Sequence, residues 1–137
     1  MRRNEPVSKI MTSQPTTVHL GQKLSDARTV MTEKHCHHVP VVQGDALIGM
    51  LSSTDLLRAS YEYGEDVRHA NTVLDHTRSI EDVMQKGIVT LGPKDTVREA
   101  AEIFGKNWFH ALPVCEDGKL VGIVTTTDVM NYLVDQY

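Results

Sequence analysis

The sequence is poor in cysteine, in net positive charge and in long apolar runs, and each shortage removes a class of protein. Its two cysteines, Cys36 and Cys115, lie in no CxxC motif. Two thiols cannot build the disulfide framework of a small secreted domain, so both read as small apolar residues in or near strands. Lys and Arg number 14 against 18 Asp and Glu, a net charge of −4. That balance argues against a nucleic-acid partner, which demands a basic face. No apolar run approaches the roughly 20 residues that span a bilayer, and the charged start Met1–Pro6 has no apolar stretch behind it. The chain thus reads as cytoplasmic, with neither a secretory signal nor a membrane partner. Catalytic signatures are missing as well. There is no nucleophile elbow, HExxH, Walker A or GxGxxG, and no spaced triad, so no enzyme is expected.

What is present is a globular composition, 40% apolar over 137 residues, enough for one compact domain or two half-sized ones sharing a core. The sequence is also written twice. Pro40 falls on Pro113, 73 residues later, and at the same offset Met11, Thr17, Ala27, His37, Gly49, Thr54 and Asp55 meet identical residues. Elsewhere one apolar residue replaces another, as Val121 does Ile48. The chain therefore divides into a first repeat over 7–60, a partly helical linker over 61–79 and a second repeat over 80–137.

One copy serves for both. Thr17–Val18 and Thr90–Leu91 are short β-prone stretches ending in turn signals. A helix follows from about Lys23 to Lys34, its apolar stripe formed by Leu24, Ala27, Val30 and Met31. Asp95 can cap its counterpart. A hairpin comes next, Val39–Val42 returning as Leu47–Leu51, with Leu112–Cys115 and Leu120–Val124 in the second copy; Gly beside Asp marks both turns. Pro40 and Pro113 imply edge or irregular positions, and the apolar returning strands suggest burial on both faces. A second helix begins near Thr54 and Thr127. The order is β-α-β-β-α per copy, a mixed α/β class.

The residues after each returning strand carry the functional signal. Gly49 to Leu57 and Gly122 to Met130 both fit G-h-h-[ST]-x-x-D-h-h, with h apolar. This places a hydroxyl, Ser52 or Thr125, at a strand-to-helix junction and a carboxylate, Asp55 or Asp128, in the first helical turn. Free N–H groups there favour phosphate, and a carboxylate can accept from two neighbouring hydroxyls, as on ribose. The same pattern is also a capping box, which only stabilises the helix start. Duplication copies caps as readily as sites.

These segments, with Val7–Thr12, Pro15–Val18 and His38–Val42 in one copy and Ile80–Met84, Val89–Leu91 and Ala111–Val114 in the other, resemble a tandem pair of CBS domains, a regulatory module also called a Bateman domain. The likeness spans nearly the whole chain. It implies two copies related by a pseudo-twofold axis, with clefts between them that take an adenosine-containing ligand: AMP, ADP, ATP or S-adenosylmethionine. By that resemblance Asp55 and Asp128 hold ribose and Ser52 and Thr125 face phosphate. Thr17, Val39 and Pro40 frame adenine in one copy; Thr90, Leu112 and Pro113 do so in the other. No cofactor is required, a homodimer is expected, and a separate, unidentified protein reads the bound state.

The copies also differ. Gln85 stands where copy one has Thr12, Asn131 faces Arg58, and Ala111 replaces His38. Arg58 can pair with a phosphate or be a solvated helix residue. His35-Cys36-His37-His38 is dense in metal donors, but neighbours on a strand point to opposite faces, so no metal site is assigned. Trp108 and Phe109 read as core or interface aromatics. The leading expectation is a nucleotide-sensing regulatory module; a protein-interaction module with empty clefts is the alternative, and a metal-responsive module a weaker one.

Overall fold

The computed structural model describes residues 4–61, 75 and 78–137. Most of the expected linker, including Glu62 to Asp66, lies outside the described residues. Among them the elements run in order: a 3₁₀ turn Val7–Lys9, β1 Thr12–Ser13, β2 Val18–His19, α1 Leu24–Lys34, β3 His38–Gln43, β4 Ala46–Ser52, α2 Ser53–Tyr61, α3 Ile80–Val83, α4 Val97–Lys106, β5 Ala111–Glu116, β6 Lys119–Thr125 and α5 Thr126–Asp135. The class is mixed α/β, as the periodicities predict.

The chain forms two compact units, Thr16–Ile88 and Met1–Pro15 with Val89–Tyr137. In the first, β3 and β4 make the expected hairpin and β2 joins β3 in parallel. The backbone of Gln85 then pairs with Met50 of β4, donating at 2.8 Å and accepting at 3.0 Å. In the second, β5 and β6 make the hairpin, Leu91 bridges Val114 in parallel, and β1 pairs with β6. Thr12 lies opposite Ile123 there, the place that Gln85 takes opposite Met50. Each copy's leading segment has thus been handed to the other copy's unit. The cores repeat this exchange. Val18, Leu24, Val39, Val41 and Leu51 line one, with Ile80 among them; Leu91, Val97, Leu112, Val114 and Val124 line the other, with Val7 in the place of Ile80.

Glycine is required at the equivalent positions Gly49 and Gly122. A Cβ would come 2.5 Å from Met84 Sδ at the first and 2.4 Å from Met11 Sδ at the second. The leading segment of each unit therefore lies directly over a bare strand. The prolines sit where their missing N–H costs no ladder bond. Pro113 offers its carbonyl to Leu91 N–H at 3.0 Å, and a bulge follows each proline, at Val41/Val42 and at Val114/Cys115.

The structure departs from the sequence reading in two details and, of the two aromatics read as core or interface, places only one in the core. Thr96, not Asp95, caps α4, its hydroxyl accepting from Glu99 N–H at 3.1 Å, while Asp95 turns back to accept from Gly92 N–H at 2.7 Å. The returning strands are buried only in their second halves, at Gly49–Leu51 and Gly122–Val124, because the ends nearest the hairpin turns reach solvent. Trp108 is 74% exposed; Phe109 alone packs against the core. Asp75 contributes an unforeseen cap, accepting from Ser25 N–H at 3.0 Å and Ser25 Oγ at 2.5 Å in the first turn of α1. That satisfies a free helix-start donor with a carboxylate, which the helix dipole favours.

Candidate functional site

Each unit gathers its candidate residues at one end of its sheet. In the first unit the register sets His38 opposite Ser52 and Val39 opposite Leu51, and Thr17 immediately precedes the parallel pair Val18–Val41. Ser52 ends β4 and α2 starts at Ser53, whose N–H donates to the His37 carbonyl at 2.8 Å. In the second unit Ala111 is opposite Thr125, Thr90 precedes the Leu91–Val114 bridge, and Thr126 N–H donates to the His110 carbonyl at 3.0 Å. The duplication has thus preserved geometry as well as residue type.

The hydroxyl–carboxylate pairs close on themselves. Ser52 N–H donates to Asp55 Oδ2 and Asp55 N–H to Ser52 Oγ, both at 3.0 Å. Thr125 N–H donates to Asp128 Oδ2 at 2.8 Å and Asp128 N–H to Thr125 Oγ1 at 3.2 Å. Both are reciprocal capping boxes, so the capping role is realised in each copy. A cap uses one carboxylate oxygen and leaves the other. In the first unit that oxygen is engaged: Gln85 Nε2 donates to Asp55 Oδ1 at 3.1 Å, and Asp55 is 8% exposed. In the second, Asp128 is half-buried, and its Oδ1 accepts no hydrogen bond among the described residues.

The remaining candidates divide by burial. Val39, Pro40 and Leu112 are fully buried and Pro113 is buried; Val39 and Leu112 are core side chains, so these strands offer chiefly backbone to a ligand. Thr17 is half-buried and Thr90 exposed, both outside regular strands. Arg58 is exposed on α2, one helical turn beyond Asp55. His37 Nδ1 lies 3.4 Å from Ser53 Oγ, but no group of three His, Cys, Asp or Glu among the described residues could hold a metal ion. Burial raises the pKa of both thiols above the ordinary cysteine value, partly offset at Cys36 by a backbone hydrogen bond. Neither is primed as a thiolate nucleophile or ligand. Gln85 was legible as a mismatch between the copies, but its bond to Asp55 depends on a strand pairing that the sequence does not display.

Fold and junctions together define a duplicated mixed α/β module. The CBS domain profile matches residues 7–62 and again 80–135, and the chain belongs to the CBS domain family as a tandem pair. Protein MJ1225 of Methanocaldococcus jannaschii is 27% identical over 135 residues. Its crystal structure, described as that of a proposed archaeal homolog of g-AMPK, superposes with a TM-score of 0.80 over 95% of this chain and 48% of that one. The CBS domain of a membrane protein from Sphaerobacter thermophilus is 30% identical, with a TM-score of 0.79 over 94% of this chain and 88% of that one. CBSX2, solved in complex with AMP, shares the fold at 24% identity and a TM-score of 0.82, over 96% of this chain and 97% of that one. The chain spans 24% of a curated homoserine O-acetyltransferase from Methanohalobium evestigatum and 47% of MJ1225, so the match to larger proteins is to their CBS portion. Among the described residues no helix is long and apolar enough to cross a membrane.

Proposed function

We propose that this tandem CBS pair is a regulatory module that binds an adenosine-containing ligand (AMP, ADP, ATP or S-adenosylmethionine) and passes the bound state to a regulated protein. The observation that carries it is the duplicated junction, in which a hydroxyl and a carboxylate at a helix start adjoin the start of the neighbouring strand, with His38 opposite Ser52 and Ala111 opposite Thr125. A helix start supplies donors and partial positive charge for phosphate, and the carboxylate oxygen left over from the cap can accept from a ribose diol. The ribose role falls to Asp55 and Asp128 and the phosphate role to Ser52 and Thr125, with Arg58 as an added cation. Thr17, Val39 and Pro40, or Thr90, Leu112 and Pro113, frame adenine. The AMP held by CBSX2 is consistent with this chemistry. No other cofactor is required, and the regulated protein reads a shift between two states of different ligand affinity.

Calorimetric titration with the four ligands tests the proposal, using wild type, Asp55→Ala and Asp128→Ala. Binding of at least one ligand, weakened by one or both substitutions, is expected; no heat from any of the four would end it.

A second reading, association through the helices, has its own observation. Leu57 of α2 and Met130 of α5 occupy equivalent positions and are 55% and 61% exposed. Such apolar positions suit a homodimer or a docked protein. Sedimentation of wild type against Leu57→Glu and Met130→Glu tests this: a dimer that neither substitution weakens removes these positions from the interface.

A further inference from the structure

We propose that Gln85 is a built-in competitor for the copy-one site, so that the two copies are unequal and copy two binds the nucleoside first. The inference rests on the ribose role given above to Asp55 and Asp128. Both carboxylates spend one oxygen on a helix cap. The difference is at the other oxygen. Gln85 is held beside β4 by two backbone bonds to Met50, and from there its amide reaches Asp55 Oδ1 at 3.1 Å. A diol approaching that oxygen meets a donor already in place. Thr12 occupies the equivalent position opposite Ile123, yet makes no hydrogen bond to Asp128 among the described residues. The same fold therefore presents one engaged and one available carboxylate.

Charge works in the opposite sense, since Arg58 gives copy one a cation where copy two has Asn131. Arg58 is exposed, and exposed ion pairs contribute little in water and less in salt. The Gln85 bond is made to a carboxylate that is 8% exposed. Hydrogen bonds to charged groups in such settings are worth about tenfold or more in an equilibrium, so the amide outweighs the guanidinium. Gln85 is itself exposed; its side chain can leave, which makes copy one a weaker site rather than a closed one.

The test is calorimetric titration of AMP, ADP, ATP and S-adenosylmethionine into wild type, Gln85→Thr, Gln85→Ala, Asp55→Asn and Asp128→Asn. Gln85→Thr installs the residue type of Thr12, which takes the equivalent place in the unit that holds Asp128, and leaves the backbone pairing to Met50 intact; ligand-free melting checks that each variant is folded. The tighter event in wild type should vanish in Asp128→Asn and persist in Asp55→Asn. Both Gln85 variants should tighten the weaker event by about tenfold or more, and Asp55→Asn in the Gln85→Thr background should abolish that gain. Loss of the tighter event in Asp55→Asn overturns the proposal, as do Gln85 variants that change nothing. Binding that the Gln85 variants leave unaltered removes this inference alone, whereas no binding by wild type or by either Gln85 variant removes the nucleotide reading with it.

Discussion

Asp55 and Asp128 occupy equivalent positions, yet their surroundings assign them different costs of removal. Asp128→Ala deletes the acceptor for Thr125 N–H at a half-buried helix start, and loss of such a cap costs about 1 kcal/mol. Asp55→Ala deletes a buried acceptor that serves both Ser52 N–H and the Gln85 amide, so the same cap is lost together with a further hydrogen bond worth about 1 kcal/mol. Urea unfolding should rank Asp55→Ala as the more destabilising; equal losses would mean that the Gln85 bond adds nothing. Tyr132 makes a converse case. It stands in α5 where α2 has Ala59, packs against the second core, and its buried hydroxyl has no hydrogen-bond partner among the described residues. Tyr132→Phe removes the unsatisfied oxygen and keeps the ring, so stability should hold or rise by up to about 1 kcal/mol. A loss well beyond that would show that the hydroxyl has a partner in solution. Of these features the Ser52/Asp55 and Thr125/Asp128 boxes were legible from spacing alone. The orphaned Tyr132 hydroxyl was not, because it depends on which face of α5 meets the core.

The elements themselves follow from short-range chemistry, and for that reason most were readable in advance. Apolar spacing marks α1 and α4, and Gly–Asp turns mark both hairpins. The exchange of leading segments is a long-range fact: nothing near Val7 signals that it will pack beside Leu112 rather than Val39. Both Val7 and Ile80 are fully buried, and each seals the core of the other copy's unit. Ile80→Ala should cost about 2–5 kcal/mol and Val7→Ala somewhat less. The location of the loss separates this arrangement from a simple tandem pair. Native-state hydrogen exchange should show Val7→Ala weakening protection in α4, β5 and β6, and Ile80→Ala weakening it in α1, β3 and β4. The reverse pattern would mean that each leading segment stays with its own copy. Domain boundaries drawn by repeat, 7–60 and 80–137, describe the duplication, whereas the folded units cut across it.

At the scale of the whole molecule the open choice is between a helix start that merely attracts anions and a site that recognises an adenosine ligand. Both draw on the same free N–H groups, so phosphate binding alone does not distinguish them. The carboxylates do. On the proposed role, the unspent oxygen on Asp128 would repel inorganic phosphate and accept from a ribose diol, so a nucleoside should gain at that residue where phosphate loses. Ligand present at 100 times its dissociation constant stabilises the folded state by about 2.7 kcal/mol, a rise in melting temperature on the order of 10 °C for a chain of this size. At least one of AMP, ADP, ATP and S-adenosylmethionine should produce such a shift, and inorganic phosphate at the same concentration should not. Asp128→Asn should blunt that ligand's shift and leave any response to phosphate unchanged or slightly stronger. Shifts from the four ligands no larger than that from phosphate, indifferent to Asp128, would reduce both junctions to capped helix ends and leave the exposed Leu57 and Met130 faces as the better guide to what this module does.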